Sequence, residues 1–316
     1  MAFVLRLGSR PSKLALIQAE LVKSALRAAA GDLSVEIVPI RTSGDRLARR
    51  GPLKPAGNKR LFIEELEQAL SAWHVDLNVH SMKDLPAVLG PRFRIVAVPR
   101  REDPRDALVS RVGAGIGALP VGAMVGTSSA RRMFEARRAR ADLRVLPMRG
   151  NVDTRLSRLE AGEFDGAILA LAGLKRLGRA EMRGLAPLDE ETFVPAAGQG
   201  ALALEALSGR AVGGSRELEA LAGELNDSVA AAETEAERAF LAELGASCAS
   251  PLGVRARMTD GALSMRALLF SHDGAQAIED TVSEAAEPAK SGPALLGREL
   301  GRRMLEAGGR ALLADD

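Results

Sequence analysis

Lys83 and Asp84 stand side by side in the stretch D-L-N-V-H-S-M-K-D-L-P of residues 76–86. Leu77 and Val79 alternate with polar neighbours, which predicts a short strand. Residues 82–86 follow as a loop. A strand that ends in this way presents a cation and a carboxylate at a sheet edge. In open α/β sheets, ligands bind at the edge outside the strands' carboxyl ends. A solvated loop with one weak surface ion pair accounts for the same residues, so the stretch must be weighed against the rest of the chain.

Four further places repeat one pattern: a strand ends, a turn of small residues follows, and arginine stands at or near a helix start. They are Arg10 with Ser12, Arg131 and Arg132 behind Ser129, Arg149 with Arg155, and Arg176. Helix N-termini attract anions, and arginine in a first turn opposes the helix dipole unless an anion sits there. Together the four predict a cleft lined with guanidinium groups for a ligand bearing many carboxylates or phosphates, which the planar fork of arginine pairs bidentately. A solvated basic face or simple helix capping explains each place singly. A nucleic-acid backbone would also suit the arginines, but with no tyrosine and 3% aromatic residues the chain has little with which to stack bases.

The single cysteine, Cys248, falls on the small-residue loop G-A-S-C-A-S-P-L-G just past a helix. It excludes an internal disulfide and fits a reducing compartment. It reads as a buried small hydrophobe, a nucleophile or an attachment point. His74 and His80 lie six residues apart and His272 far from both, and no metal-ligand spacing occurs. The chain has no run of apolar residues long enough for a membrane span and no signal peptide. We therefore expect a cytoplasmic protein without nucleic-acid or membrane partners. Its 316 residues are 47% hydrophobic and 27% charged with net charge +2, which is ordinary globular composition with length for two or three domains.

The elements that must hold these groups alternate. Strands are expected at residues 4–7, 35–40, 93–98, 124–126, 143–147 and 166–172, with helices at 13–30, 61–73, from 130, from 152 and from 173. Residues 46–59, rich in Arg, Lys, Gly and Pro, read as a mobile surface loop. The alternation predicts an α/β protein with sheets covered on both faces. Residues 101–106 are expected to cross to a second domain, and the Gly-rich segment containing Gln199 to return the chain to the first. A helix over 229–244, a hairpin around residues 272–274 and a last helix from 293 predict a small α+β third domain. The expected domains are 1–99 with 195–220, 100–194, and 221–316.

The chain resembles the porphobilinogen deaminase family nearly end to end. The resemblance is carried by R-P-S-K-L-A-L, T-S-G-D, L-F-I-E-E-L-E, V-H-S-M-K-D-L-P, R-E-D-P-R-D-A, G-T-S-S-A-R-R, R-G-N-V-D-T-R-L, L-A-G-L-K-R-L-G, P-A-A-G-Q-G-A and G-A-S-C-A-S-P-L-G. It implies two lobes like those of periplasmic binding proteins, with doubly wound sheets, plus a small α+β domain carrying the cysteine. It also implies a hydroxymethylbilane synthase, a transferase of porphyrin and heme biosynthesis. In this family a dipyrromethane cofactor is held by a thioether, here through Cys248. Four porphobilinogens join it with loss of ammonia, and the tetrapyrrole is released by hydrolysis.

By the same resemblance, Asp84 is the catalytic carboxylate that steadies the positive pyrrole nitrogen left when ammonia departs. Ser12, Lys83, Ser129, Arg131, Arg132 and Arg155 match cofactor-binding positions. Arg10, Arg149, Arg155, Arg176 and Gln199 match substrate-binding positions. A monomer is expected. The sequence departs from the family pattern at Ala246, Ser250 and Arg60, none of which removes a functional group. The rival readings are a non-catalytic two-lobed polyanion-binding protein and an RNA-binding protein.

Overall fold

The computed structural model describes residues 3–50, 59–246, 250–283 and 292–314. The chain divides into two compact units, Met1–Glu102 with Ala201–Thr234, and Asp103–Gly200 with Glu235–Asp316. Cys248 lies outside the described residues, as do residues 51–58.

The first unit is built on a five-stranded mixed sheet. Strands Val4–Ser9, Ser34–Pro39 and Leu77–Ser81 run parallel, with Val4–Ser9 in the middle. Strand Leu202–Leu207 is antiparallel to Leu77–Ser81 and to the edge strand Phe93–Ala97. Helix Lys13–Ala30 is capped by Ser12, whose hydroxyl accepts from the Ala15 amide, and it stops at Gly31, with φ of 58°. It buries Ala19, Val22 and Leu26 against Leu5, Leu7, Leu77 and Leu204 on one face of the sheet, where helix Arg216–Glu224 also packs. Helix Glu64–Ser71 covers another part, packing Ala69 and Leu70 against Val38 and Leu207.

Residues 46–50, expected in a mobile loop, instead belong to helix Ser43–Arg50. The reason is local. Thr42 and Asp45 cap each other: the Asp45 amide donates to the Thr42 hydroxyl at 3.2 Å, and the Thr42 amide and hydroxyl donate to the Asp45 carboxylate at 3.2 and 2.8 Å. A reciprocal cap of this spacing starts a helix even in a strongly basic sequence.

The second unit holds another five-stranded mixed sheet and a three-stranded antiparallel one. In the larger sheet, Met124–Gly126 runs parallel to both Arg144–Leu146 and Gly166–Ala170. Strand Asp106–Ser110, not anticipated from the sequence, pairs antiparallel with Gly166–Ala170 and Leu185–Pro187. Leu108 and Ile168 face a core with Ala136 of helix Ala130–Ala139. Their neighbours Ala107, Val109, Ala167 and Leu169 face the opposite core, with Leu156 and Leu159 of helix Val152–Glu160 and Leu174. Both faces are therefore covered, and the protein is of the α/β class.

Strands Leu252–Thr259, Ala262–Phe270 and Ala277–Ser283 form the small sheet in order. Helices Ser228–Leu244 and Pro293–Met304 pack on it through Phe240, Leu296, Leu300 and Met304.

Candidate active site

Parallel strands place their carboxyl ends at one edge. In the first unit this edge carries Arg10 and Ser12 after Val4–Ser9, Thr42 after Ser34–Pro39, and Lys83 and Asp84 after Leu77–Ser81. The expected loop after Ser81 is one tight 3-10 turn, Met82–Asp84. The Leu85 amide closes it onto the Met82 carbonyl at 3.0 Å, and the Met82 amide donates to the Ala201 carbonyl at 3.0 Å. Asp84, Arg10 and Ser12 line one cavity together with Gln18, Phe62, His80 and Ser81, enclosing about 460 Å³ including its open mouth.

Within that cavity wall the Arg10 guanidinium lies over the Phe62 ring, 4.3 Å from its centroid. It also pairs with Asp45 at 2.5 Å. Burial opposes ionisation of Asp45, but the Arg10 and Thr42 hydrogen bonds outweigh it and hold the carboxyl below its usual range. Arg10 is thus fixed by a stack and an ion pair. Lys83 and Asp84 are both half-buried.

The equivalent edge of the second unit gathers the starts of three helices, at Ala130, Val152 and Leu171. Ser129 and Asn151 cap the first two with their side chains. The Ser128 hydroxyl donates to the Met148 carbonyl at 2.8 Å and ties the two loops together. Arg131 and Arg132 are buried and converge on Asp106, at 2.7 and 2.6 Å. Gln199 joins them: its amide donates to Asp106 at 2.8 Å and to the Pro104 carbonyl at 2.7 Å, and its oxygen accepts from Arg132 at 3.2 Å. Burial alone would raise the Asp106 pKa, but the two guanidiniums reverse that and press it well below the carboxylate range.

Glu135 completes the cluster one helical turn on, bound to Arg131 at 2.8 Å. Its other carboxylate oxygen is buried without a hydrogen-bond partner. Full burial pushes this carboxyl up to about 8, and the attraction of Arg131 does not offset it. Arg155, on the neighbouring helix, is lowered to about 10 by desolvation and by the charge of Arg132. Arg131 and Arg132 therefore share one firmly ionised carboxylate, Asp106, while the Arg155 guanidinium feels the charge of Arg132 and donates through Nε to the Gly150 carbonyl. The donor set fits a ligand with several carboxylates.

Arg149 is exposed. Arg176 corrects the sequence pattern. The helix it was expected to open runs over Leu171–Arg176, so Arg176 sits in its last turn, where its guanidinium donates to the Gly200 carbonyl at 2.6 Å. The apolar run G-A-I-L-A-L-A-G-L hides the change from strand to helix at Leu171. Asp106, Glu135, Asp45 and Glu205, the last bound to Asn78 and His80, carry no site role in the sequence reading. Asp45 had an available signal, its spacing from Thr42. Glu135 had one too, its place four residues after Arg131 on one helix face, whereas Asp106 and Glu205 act through residues distant in sequence, and only the fold reveals them.

A family model described as "Porphobilinogen deaminase, dipyromethane cofactor binding domain" matches residues 5–212, and one described as "Porphobilinogen deaminase, C-terminal domain" matches residues 231–306. The chain belongs to the porphobilinogen deaminase family. Porphobilinogen deaminase of Roseiflexus castenholzii is 44% identical over 310 residues, covering 98% of each chain. That of Chromobacterium violaceum is 45% identical over 310 residues, covering 98% of this chain and 96% of its own. Among solved structures, substrate binding domain 2 of GlnP from Lactococcus lactis, in an open conformation, is 12% identical with a TM-score of 0.42, covering 70% of this chain and 87% of its own. Membership of the porphobilinogen deaminase family brings with it a dipyrromethane cofactor-binding domain over residues 5–212. Among the described residues, no helix is long and apolar enough to cross a membrane.

Proposed function

We propose that the protein is a hydroxymethylbilane synthase. It is a transferase that joins four porphobilinogens in turn to a covalent dipyrromethane and releases the product by hydrolysis. The observation that carries this reading is Asp84, held at the ligand edge of a parallel sheet and lining a cavity with Arg10 and Ser12. Loss of ammonia from porphobilinogen leaves positive charge on the pyrrole nitrogen. A preorganised carboxylate in a partly desolvated site stabilises that charge as it develops. Asp84 is assigned that role.

When bound, dipyrromethane supplies the pyrrole carbon that the first substrate joins. Cys248 is the proposed attachment point. Ser12, Lys83, Ser129, Arg131, Arg132 and Arg155 are assigned to the cofactor's acid arms, and Arg10, Arg149, Arg155, Arg176 and Gln199 to those of the substrate. The excess of guanidiniums over ionised carboxylates around Asp106 supports the arginine assignments. The polyanion-binding alternative would use the same arginines but has no use for Asp84 or a covalent pyrrole. We also propose division into domains 1–99 with 195–220, 100–194 and 221–316, and a cytoplasmic monomer without a nucleic-acid partner.

Intact-mass measurement of purified protein tests the reading. The mass is expected to exceed that of the chain by one dipyrromethane, and Cys248→Ala is expected to carry the bare chain mass. Turnover by protein of bare mass would overturn it.

A further inference from the structure

We propose that His80, held by Glu205, is a positioning residue that fixes the turn carrying Asp84. Strand Leu77–Ser81 runs straight into that turn, and Asp84 lies four residues beyond His80. His80 pairs with Ala203 across the sheet, and Asn78 with Glu205. One oxygen of Glu205 meets both side chains of the strand: His80 Nε2 at 2.9 Å and Asn78 Nδ2 at 3.1 Å. All three residues are at most 5% exposed.

The arrangement is a poor one for core stability alone. The second oxygen of Glu205 and the side-chain oxygen of Asn78 are buried without hydrogen-bond partners. Unmet acceptors in a core are costly, and burying polar groups costs stability unless each is hydrogen-bonded. What the pair does supply is a cross-link between two strands immediately before the turn. Next to it, the Met82 amide bonds the Ala201 carbonyl. His80 also lines the same cavity as Asp84, where the other charged wall residue, Arg10, is held by Asp45. A carboxylate that must meet a developing charge acts fully only if its position is fixed beforehand, since a displacement of about 1 Å can cost roughly 100-fold in rate.

The proposal rests on the reading of Asp84 as the reacting carboxylate, and the test separates the two. Amide hydrogen exchange and steady-state kinetics are measured on the full-length protein, on His80→Phe, which keeps a flat ring of somewhat larger size and loses the bond, and on Glu205→Gln, which keeps the shape and replaces the carboxyl by an amide. In His80→Phe the Met82 and Leu85 amides are expected to exchange at least about tenfold faster, while those of strand Val4–Ser9 keep their rates. The kcat is expected to fall about 10- to 100-fold with KM within about threefold. Glu205→Gln is expected to change the same quantities in the same direction by less, and it carries the test alone if His80→Phe does not fold.

Unchanged exchange at Met82 and Leu85, or an equal rise across the whole sheet, overturns the proposal. So does a loosened turn with wild-type kcat. Asp84→Ala is run in parallel. If it turns over normally, the underlying reading falls and takes the proposal with it. If it is inactive while the His80 and Glu205 variants leave exchange unchanged, the proposal falls alone.

Discussion

Asp84 and Glu135 are both acids among basic groups, and they differ in burial and in the role each can take. Asp84 is half-buried on a cavity wall beside Arg10 and is assigned to work as an anion. Asp84→Asn keeps the shape and removes the charge, so the cofactor is expected to remain, as read by intact mass, while kcat falls about 10²- to 10³-fold, the usual cost of removing one preorganised charge-stabilising group. Near-normal turnover would remove the assignment. Glu135 has no exposure, and its pKa is raised from 4.5 to about 8. A carboxyl raised on folding leaves stability intact below its unfolded pKa and lowers it as pH rises through the folded one. Wild-type Tm is therefore expected to decline between about pH 4.5 and 8 relative to Glu135→Gln, which imitates the protonated acid at every pH. Thermal unfolding across that range checks this. Parallel Tm curves for the two proteins would show that Arg131 keeps Glu135 ionised throughout.

The elements show which signals were local and which were not. Helix Lys13–Ala30 was legible to both ends because its cap, apolar face and terminal glycine all lie within its own sequence. The carboxyl-edge positions of Asp84, Arg10, Ser129 and Arg132 were legible for the same reason. Helix Ser43–Arg50 is masked by its basic composition, although the Thr42–Asp45 cap marks its start. Thr42→Ala is accordingly expected to cost about 1 kcal/mol, measurable by denaturant unfolding, and to loosen Arg10 by freeing Asp45. Strand Asp106–Ser110 is buried at every position, so it shows no alternation to read. Strand Leu252–Thr259 does carry one, Val254 and Ala256 buried in alternation with the less buried Arg255 and Arg257. The convergence of Arg131, Arg132 and Gln199 on Asp106 joins residues up to 93 apart, and no sequence period encodes it. A close approach makes the same point for Gly8. A Cβ there would lie 2.3 Å from the Asn78 side-chain oxygen, so Gly8→Ala is expected to lower stability by about 1–3 kcal/mol through overpacking, again read by denaturant unfolding.

On the scale of the whole molecule, net charge says little: +2 over 316 residues. The distribution says more. Much of the arginine is neutralised within the fold, as Arg6 is by Asp76 and Arg266 by Glu279. Around Asp106 neutralisation is incomplete, because Arg131 and Arg132 share one ionised acid while burial raises Glu135, and Arg155 is crowded by the charge of Arg132. Guanidiniums left in partly desolvated surroundings repel one another, and the repulsion remains until an anion arrives. A bound polycarboxylate should therefore stabilise the fold as well as serve the reaction, since any group that binds only the native state raises apparent stability. Cys248→Ala, isolated with bare chain mass, is expected to unfold at a Tm several degrees below the cofactor-bearing protein. Added citrate or sulfate should restore part of the difference, and sodium chloride at equal ionic strength should restore less, because screening weakens repulsion without supplying bidentate acceptors. Combining Cys248→Ala with Arg155→Leu should shrink the citrate effect by removing one of the crowded cations. Equal Tm values with and without cofactor would mean that the excess charge is already relieved by solvent and that the arginines hold the ligand without any strain to release.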